Sequence, residues 1–242
     1  MKAVLFDLDG TLLPMDMDVF TSGYFKLLAK KLVPHGYDAD FVVKAVWHGT
    51  AAMVKNDGSC TNEEAFWKDF AALAGEDKLA DRPLFDDFYA HEFEQAKQFC
   101  SFSPKADEAV QLLKQAGCRV ALATNPLFPE IATRTRIRWA GLNADDFELI
   151  TTYENINYCK PNLDYYREVL RRMDLAAEDC LMVGNDVGED MIAGQLGMQV
   201  FLLTDHMINK TGKDISCYPH GDFDALIAYL KAALRQKEEE ER

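Results

Sequence analysis

The chain has 242 residues, 48% of them hydrophobic, and a formal net charge of −14 with a pI near 4.8. That length and apolar content supply a sizeable core, as one large domain or a main domain with an insert, and exclude disorder as the default. The acidity excludes a nucleic-acid backbone and an anionic membrane surface as partners, since both need clustered Lys and Arg. Part of it sits in the glutamate run at 237–242, which reads as a solvated helix end.

Val4, Leu5 and Phe6 form a short β-branched and aromatic run that predicts a buried strand. It stops on Asp7-Leu8-Asp9-Gly10-Thr11. Two carboxylates one residue apart at the end of a strand repel each other and are partly desolvated, so both stay ionised only if a cation or strong donors compensate. A divalent metal is one answer. Gly10 lets the backbone turn away, and the Thr11 hydroxyl can donate back to a carboxylate. An Asp-Gly turn after a solvated strand end is the plainer alternative.

From about Asp16 to Phe99 apolar residues recur at helical spacing with no clear strand, which predicts a bundle of helices. Trp47 reads as a core residue there, with His48 and Lys55 as ordinary polar positions, and Met15 and Asp16 fall where the chain enters the bundle. After Ser101-Phe102-Ser103-Pro104 the elements alternate. Helices are expected near Lys105 to Gln115, Pro129 to Trp139, Leu163 to Met173, Gly188 to Leu196 and Phe223 to Leu234. Strands are expected near Arg119 to Ala123, Glu148 to Thr151, Leu181 to Val183 and Val200 to Leu203. Such alternation predicts an α/β architecture, a Rossmann-like parallel sheet covered by helices on both faces, with active groups at the carboxyl ends of its strands.

Three further candidates fall at those ends. The second strand runs into Thr124-Asn125, a hydroxyl and backbone N–H groups suited to phosphate oxygens, or simply a turn. Lys160-Pro161 ends an irregular stretch before a helix, and the proline keeps Lys160 out of that helix. A lone lysine is otherwise a solvated one. Leu181-Met182-Val183 runs into Gly184-Asn185-Asp186-Val187-Gly188-Glu189-Asp190, where Asp190 also suits the first turn of the next helix. The six cysteines are dispersed without metal-type pairing, although Cys159 precedes Lys160. With no apolar stretch long enough for a bilayer and no basic-then-apolar leader after Met1-Lys2, a reducing cytoplasm is the expected compartment.

Taken in order, Asp-x-Asp-Gly-Thr, Thr-Asn, Lys-Pro and the acidic glycine loop resemble the haloacid dehalogenase-like hydrolase superfamily over the whole chain. The resemblance implies a core at 1–15 and 100–242 and a small helical cap at 16–99. It implies that Asp7 is the nucleophile, forming an aspartyl-phosphate, and that Asp9 is the general acid and base. Thr124, Asn125 and Lys160 would hold phosphate, and Mg²⁺ would sit on the Asp7 carboxylate, the Asp9 carbonyl and the acidic loop.

One departure stands out: the family commonly has aspartate directly after the glycine of that loop, whereas Asn185 stands there. Asp186 is then the expected metal ligand with Asp190 supporting it, and the Asn185 amide oxygen is the alternative. Asp9 points to phosphate-ester hydrolysis, because an alkoxide leaving group needs a proton. The expected enzyme is a phosphatase for a small phosphorylated metabolite; a phosphosugar mutase and a catalytically idle binding or regulatory member are the alternatives. Oligomeric state is not legible.

Overall fold

Strand β1, Ala3–Phe6, is buried along its whole length in a computed structural model of the chain, which describes residues 1–240. It pairs in parallel with β2, Arg119–Leu122, on one side and with β4, Cys180–Gly184, on the other, so that Phe6 faces Leu122 and Val183. Outside these lie β3 (Leu149–Ile150), β5 (Gln199–Leu203) and β6 (His220–Gly221). The sheet is parallel throughout, in the order β3-β2-β1-β4-β5-β6. The chain winds outward from β1 through β2 and β3, then restarts at β4 on the other side of β1. That reversal opens a crevice at the carboxyl ends of β1 and β4.

Side chains alternate across a strand, and here the alternation sorts them into two cores. Val4, Phe6, Val120, Leu122, Leu181 and Val183 pack with helices α5 (Pro104–Gln115), α6 (Glu130–Trp139) and α8 (Phe223–Glu240). Ala3, Leu5, Ala121, Ala123, Cys180 and Met182 pack with α7 (Leu163–Met173). Covered on both faces, the strands read as unbroken apolar runs.

Residues 17–99 form α1 (Met17–Leu32), α2 (Ala39–Val54), α3 (Asn62–Ala74) and α4 (Arg82–Ala90), followed by a 3-10 segment at Glu92–Phe99. Asp16 and Asp38 cap α1 and α2, and Thr61 with Glu64 makes a capping box at α3. Phe20 and Tyr24 of α1, Phe66 and Phe70 of α3 and Phe88 of α4 belong to the same continuous core as the α5–α6–α8 face. The chain enters and leaves this block side by side, with Met15 and Cys100 bridged and Ser101 N donating to Pro14 O at 2.7 Å.

A second seam ties the α2–α3 loop to the stretch before α7. Asn62, with no exposed surface, donates from Nδ2 to the Tyr158 carbonyl and the Cys159 sulfur, each at 3.3 Å, and Asn157 Nδ2 donates to the Gly58 carbonyl at 3.1 Å. A Cβ on Gly58 would stand 2.1 Å from the Tyr158 hydroxyl, so this close approach needs glycine.

Several expectations are corrected. The helix expected at Gly188 to Leu196 is a 3-10 segment, Met191–Leu196. Gly188 and Gly194 weaken an α-helix, and the Asp186 carboxylate draws the Gly188 and Glu189 N–H groups into a turn. Trp47 is 52% exposed rather than core, because the inward positions of α2 are taken by Val42, Ala45, Val46 and Met53. Strand β6 was not expected at all. Among the described residues no helix is long and apolar enough to cross a membrane. The last two residues of the acidic run at 237–242 lie outside the described residues.

Candidate active site

Asp7 follows β1 directly, and its N–H donates to the Val183 carbonyl at 2.9 Å, so the β1–β4 ladder carries it to the rim of the sheet. Its Oδ1 lies 3.0 Å from Lys160 Nζ, which also lies 2.7 Å from Asp190 Oδ1. The Lys160 side chain has no exposed surface. Burial pushes its pKa down, but Asp190 and Asp7 more than reverse this, and it stands well above the ordinary lysine value. Burial pushes the Asp190 carboxyl up to about 7 while Lys160 pulls the other way. The Asp190 Oδ2 accepts from the Asp186 N–H at 2.9 Å, which locks the acidic loop to the lysine.

The Lys160 backbone is fixed in turn. Its N–H donates to Asn125 Oδ1 at 3.2 Å, and Asn125 Nδ2 donates to Glu189 Oε2 at 2.9 Å. Burial raises the Glu189 pKa, with Lys160 opposing. Thr124 is buried beside Asn125, and its carbonyl accepts from the Thr151 and Tyr165 hydroxyls at 2.6 and 2.9 Å. Cys159 offers no nucleophile: it is buried, receives a hydrogen bond from Asn62, and burial pushes its thiol pKa upward.

Asp9 has a partner that sequence reasoning missed. Arg136 of α6, with no exposed surface, donates from Nη1 to Asp9 Oδ2, and its guanidinium lies 4.3 Å from the centre of the Phe128 ring. It is steadied by Thr133 Oγ1 at 3.3 Å. Asp9 Oδ1 is buried without a hydrogen-bond partner among the described residues. Burial raises the Asp9 pKa and Arg136 lowers it. The signal in the sequence was an arginine on the stripe of α6 that also carries Ala132 and Trp139, all of them buried.

Around the acidic loop, Asn185 and Asp186 exchange the places expected of them. Asn185 is buried beside Asp7: its Oδ1 accepts from Thr11 Oγ1 at 3.1 Å, and Thr11 Oγ1 stands 3.3 Å from Asp7 Oδ2. Its Nδ2 donates to the His206 carbonyl at 2.6 Å, which orients the amide. Gly10, at φ +78°, makes room for it, since a Cβ there would meet Asn185 Nδ2 at 2.3 Å. Asp186 Oδ1 instead accepts from the Gly188 and Glu189 N–H groups at 2.7 and 3.0 Å. Among the described residues no three His, Cys, Asp or Glu side chains cluster as metal ligands. What converges on Thr11 is an oxygen pair, Asp7 Oδ2 and Asn185 Oδ1, and such hard donors suit Mg²⁺.

The model of the haloacid dehalogenase-like hydrolases matches residues 1–197. The chain belongs to that family. Within it, the chain is 28% identical over 232 residues to a phosphoglycolate phosphatase of Rhodobacter capsulatus, covering 93% of this chain and 94% of the relative. Among solved structures of the fold, a 2-haloacid dehalogenase of Pseudomonas syringae pv. Tomato DC3000 superposes with a TM-score of 0.64 at 20% identity, covering 96% and 99% of the two chains. The magnesium-bound HAD-hydrolase YfnB of Bacillus subtilis superposes with a TM-score of 0.58 at 22% identity, covering 95% and 98%. By family the chain is a haloacid dehalogenase-like hydrolase, and the relatives it matches in sequence are phosphatases.

Proposed function

We propose that the enzyme is a Mg²⁺-dependent phosphatase that hydrolyses a small phosphorylated molecule through an aspartyl-phosphate on Asp7, with the helices of 16–99 acting as a cap over a core formed by 1–15 and 100–242. The observation that carries this reading is the buried Lys160 ammonium held between Asp7 and Asp190 at the sheet rim. A permanent cation beside the attacking carboxylate neutralises the charge that builds up when a carboxylate meets a phosphate dianion.

In the first step an Asp7 oxygen attacks phosphorus, the bond from phosphorus to the ester oxygen breaks, and Asp9 gives its proton to the departing oxygen. In the second, a water gives a proton to Asp9 and attacks phosphorus, releasing inorganic phosphate and restoring Asp7. Asp9 Oδ1 suits the proton-carrying role because Arg136 occupies Oδ2. The Thr124 hydroxyl and the Asn125 backbone would hold phosphate oxygens, and Glu189 with Asn125 steadies the Lys160 loop. Mg²⁺ would be held by the Asp7 carboxylate, the Asp9 carbonyl and the Asn185 amide oxygen, and it supplies Lewis-acid polarisation of the phosphoryl group. The fit of Asn185 favours it over Asp186 in this set.

The test is release of phosphate from a generic aryl phosphate with and without Mg²⁺, in the wild type and in Asp7→Asn. Mg²⁺-dependent release that disappears in the variant supports the reading; release that survives in Asp7→Asn rejects the nucleophile.

A further inference from the structure

Between the helical block and the segment that follows Thr124-Asn125 lies a cavity of about 140 Å³. Among the described residues seventeen line it, ten of them aromatic, including Tyr24, Trp47, Trp67, Phe85 and Phe128; the one charged among them is a carboxylate, Asp86, and none is Lys or Arg. The volume matters, because an apolar cavity of roughly 150 Å³ accepts one benzene ring. The cavity is therefore sized for a single six-membered ring and offers faces and edges for aromatic contacts.

Asp7, Asp9 and Lys160 do not line this cavity; Leu127 and Phe128 join it to them. The Leu127 N–H donates to the Asn125 carbonyl at 2.8 Å, next to the proposed phosphate-holding residues. The Phe128 ring walls the cavity and also carries Arg136, which pairs with Asp9. Phe128 thus belongs both to the cavity wall and to the Arg136–Asp9 pair, and Leu127 ties that wall to Asn125.

We infer that the organic part of the substrate is an apolar, aromatic-sized ring without a second anionic group, seated in the cavity lined by Tyr24, Trp47, Trp67, Phe85 and Phe128. This rests on the phosphatase reading and narrows it. A second phosphate or a carboxylate on the leaving group would be desolvated against aromatic rings with no Lys or Arg among the described lining residues and would meet Asp86. The expected substrates therefore differ from phosphoglycolate, the compound in the name of the Rhodobacter capsulatus relative.

The experiment compares kcat/KM for 2-phenylethyl phosphate, ethyl phosphate and phosphoglycolate, so that the first two share a primary alkyl leaving group and differ by the ring. The expected preference for the phenylethyl ester is roughly tenfold or more. Thr21→Phe, which projects a ring into the cavity from α1, should collapse that ratio toward one, with folding checked by thermal unfolding. Ethyl phosphate or phosphoglycolate turned over as well as the phenylethyl ester overturns the inference and leaves the phosphatase reading intact. If no ester releases phosphate, the phosphatase reading fails, and a titration with 2-phenylethanol followed by tryptophan fluorescence decides the cavity alone. Saturable change in the wild type that is lost in Thr21→Phe supports it, and no saturable change overturns it.

Discussion

The guanidinium of Arg136 closes on one oxygen of the Asp9 carboxylate and leaves the other without a partner among the described residues. The Arg136 side chain has no exposed surface and the Asp9 side chain only 15%, so each leans on the other for its charge. Arg136→Met should cost about 3 kcal/mol of stability in urea unfolding, because it strands a carboxylate. Asp9→Asn strands the arginine instead. The double variant should then cost less than the sum of the single ones, and strict additivity would reject the coupling.

Asp7→Asn should lower phosphate release by at least about a thousandfold while the far-ultraviolet spectrum stays native. Lys160 keeps Asp190 as a counterion in this variant, so the fold does not lose its buried pair. Loss of activity accompanied by loss of the native spectrum would mean that Asp7 matters for folding rather than chemistry.

Asp9→Asn should separate substrates by leaving group. An alkyl ester needs a proton on its departing oxygen and should slow by about 10² to 10⁴, whereas an aryl ester, whose phenolate leaves unaided, should slow far less in its first step. Parallel losses on both esters would remove Asp9 from the acid role.

Asn185→Ala should raise the Mg²⁺ concentration for half-maximal activity by at least about tenfold, and Asp186→Ala should raise it less. Asn185→Asp should lower it, since a carboxylate replaces a neutral amide among the oxygen donors. A larger effect at Asp186 than at Asn185 would return the ligand role to Asp186, which the sequence alone favoured. Gly10→Ala offers an independent check, because a methyl 2.3 Å from Asn185 Nδ2 at a left-handed φ must displace that amide.

Much of the sheet was legible because a strand covered on both faces has to be apolar throughout, as β1 and β4 are. The residues that gather at its rim were legible for the opposite reason: charge at the end of such a run has no packing explanation. Strand β6 escaped because two residues, one of them glycine, carry no periodicity. Arg136 escaped because α6 bears three arginines, Arg134 and Arg138 reach surface glutamates, and nothing local distinguishes the one that turns inward. Asn185 and Asp186 could not be ordered because a turn decides which side chain faces Asp7, and that turn is set by hydrogen bonds to N–H groups further along the loop. Trp47 misled because its size suggests a core position, while α2 already fills its inward stripe with smaller residues.

Asn62 stands at the first position of α3 and holds the sulfur of Cys159, whose next neighbour in the chain is Lys160. A swing of α3 away from the sheet would break a contact one residue from the ammonium, so the position of α3 and the seating of Lys160 are coupled through one side chain.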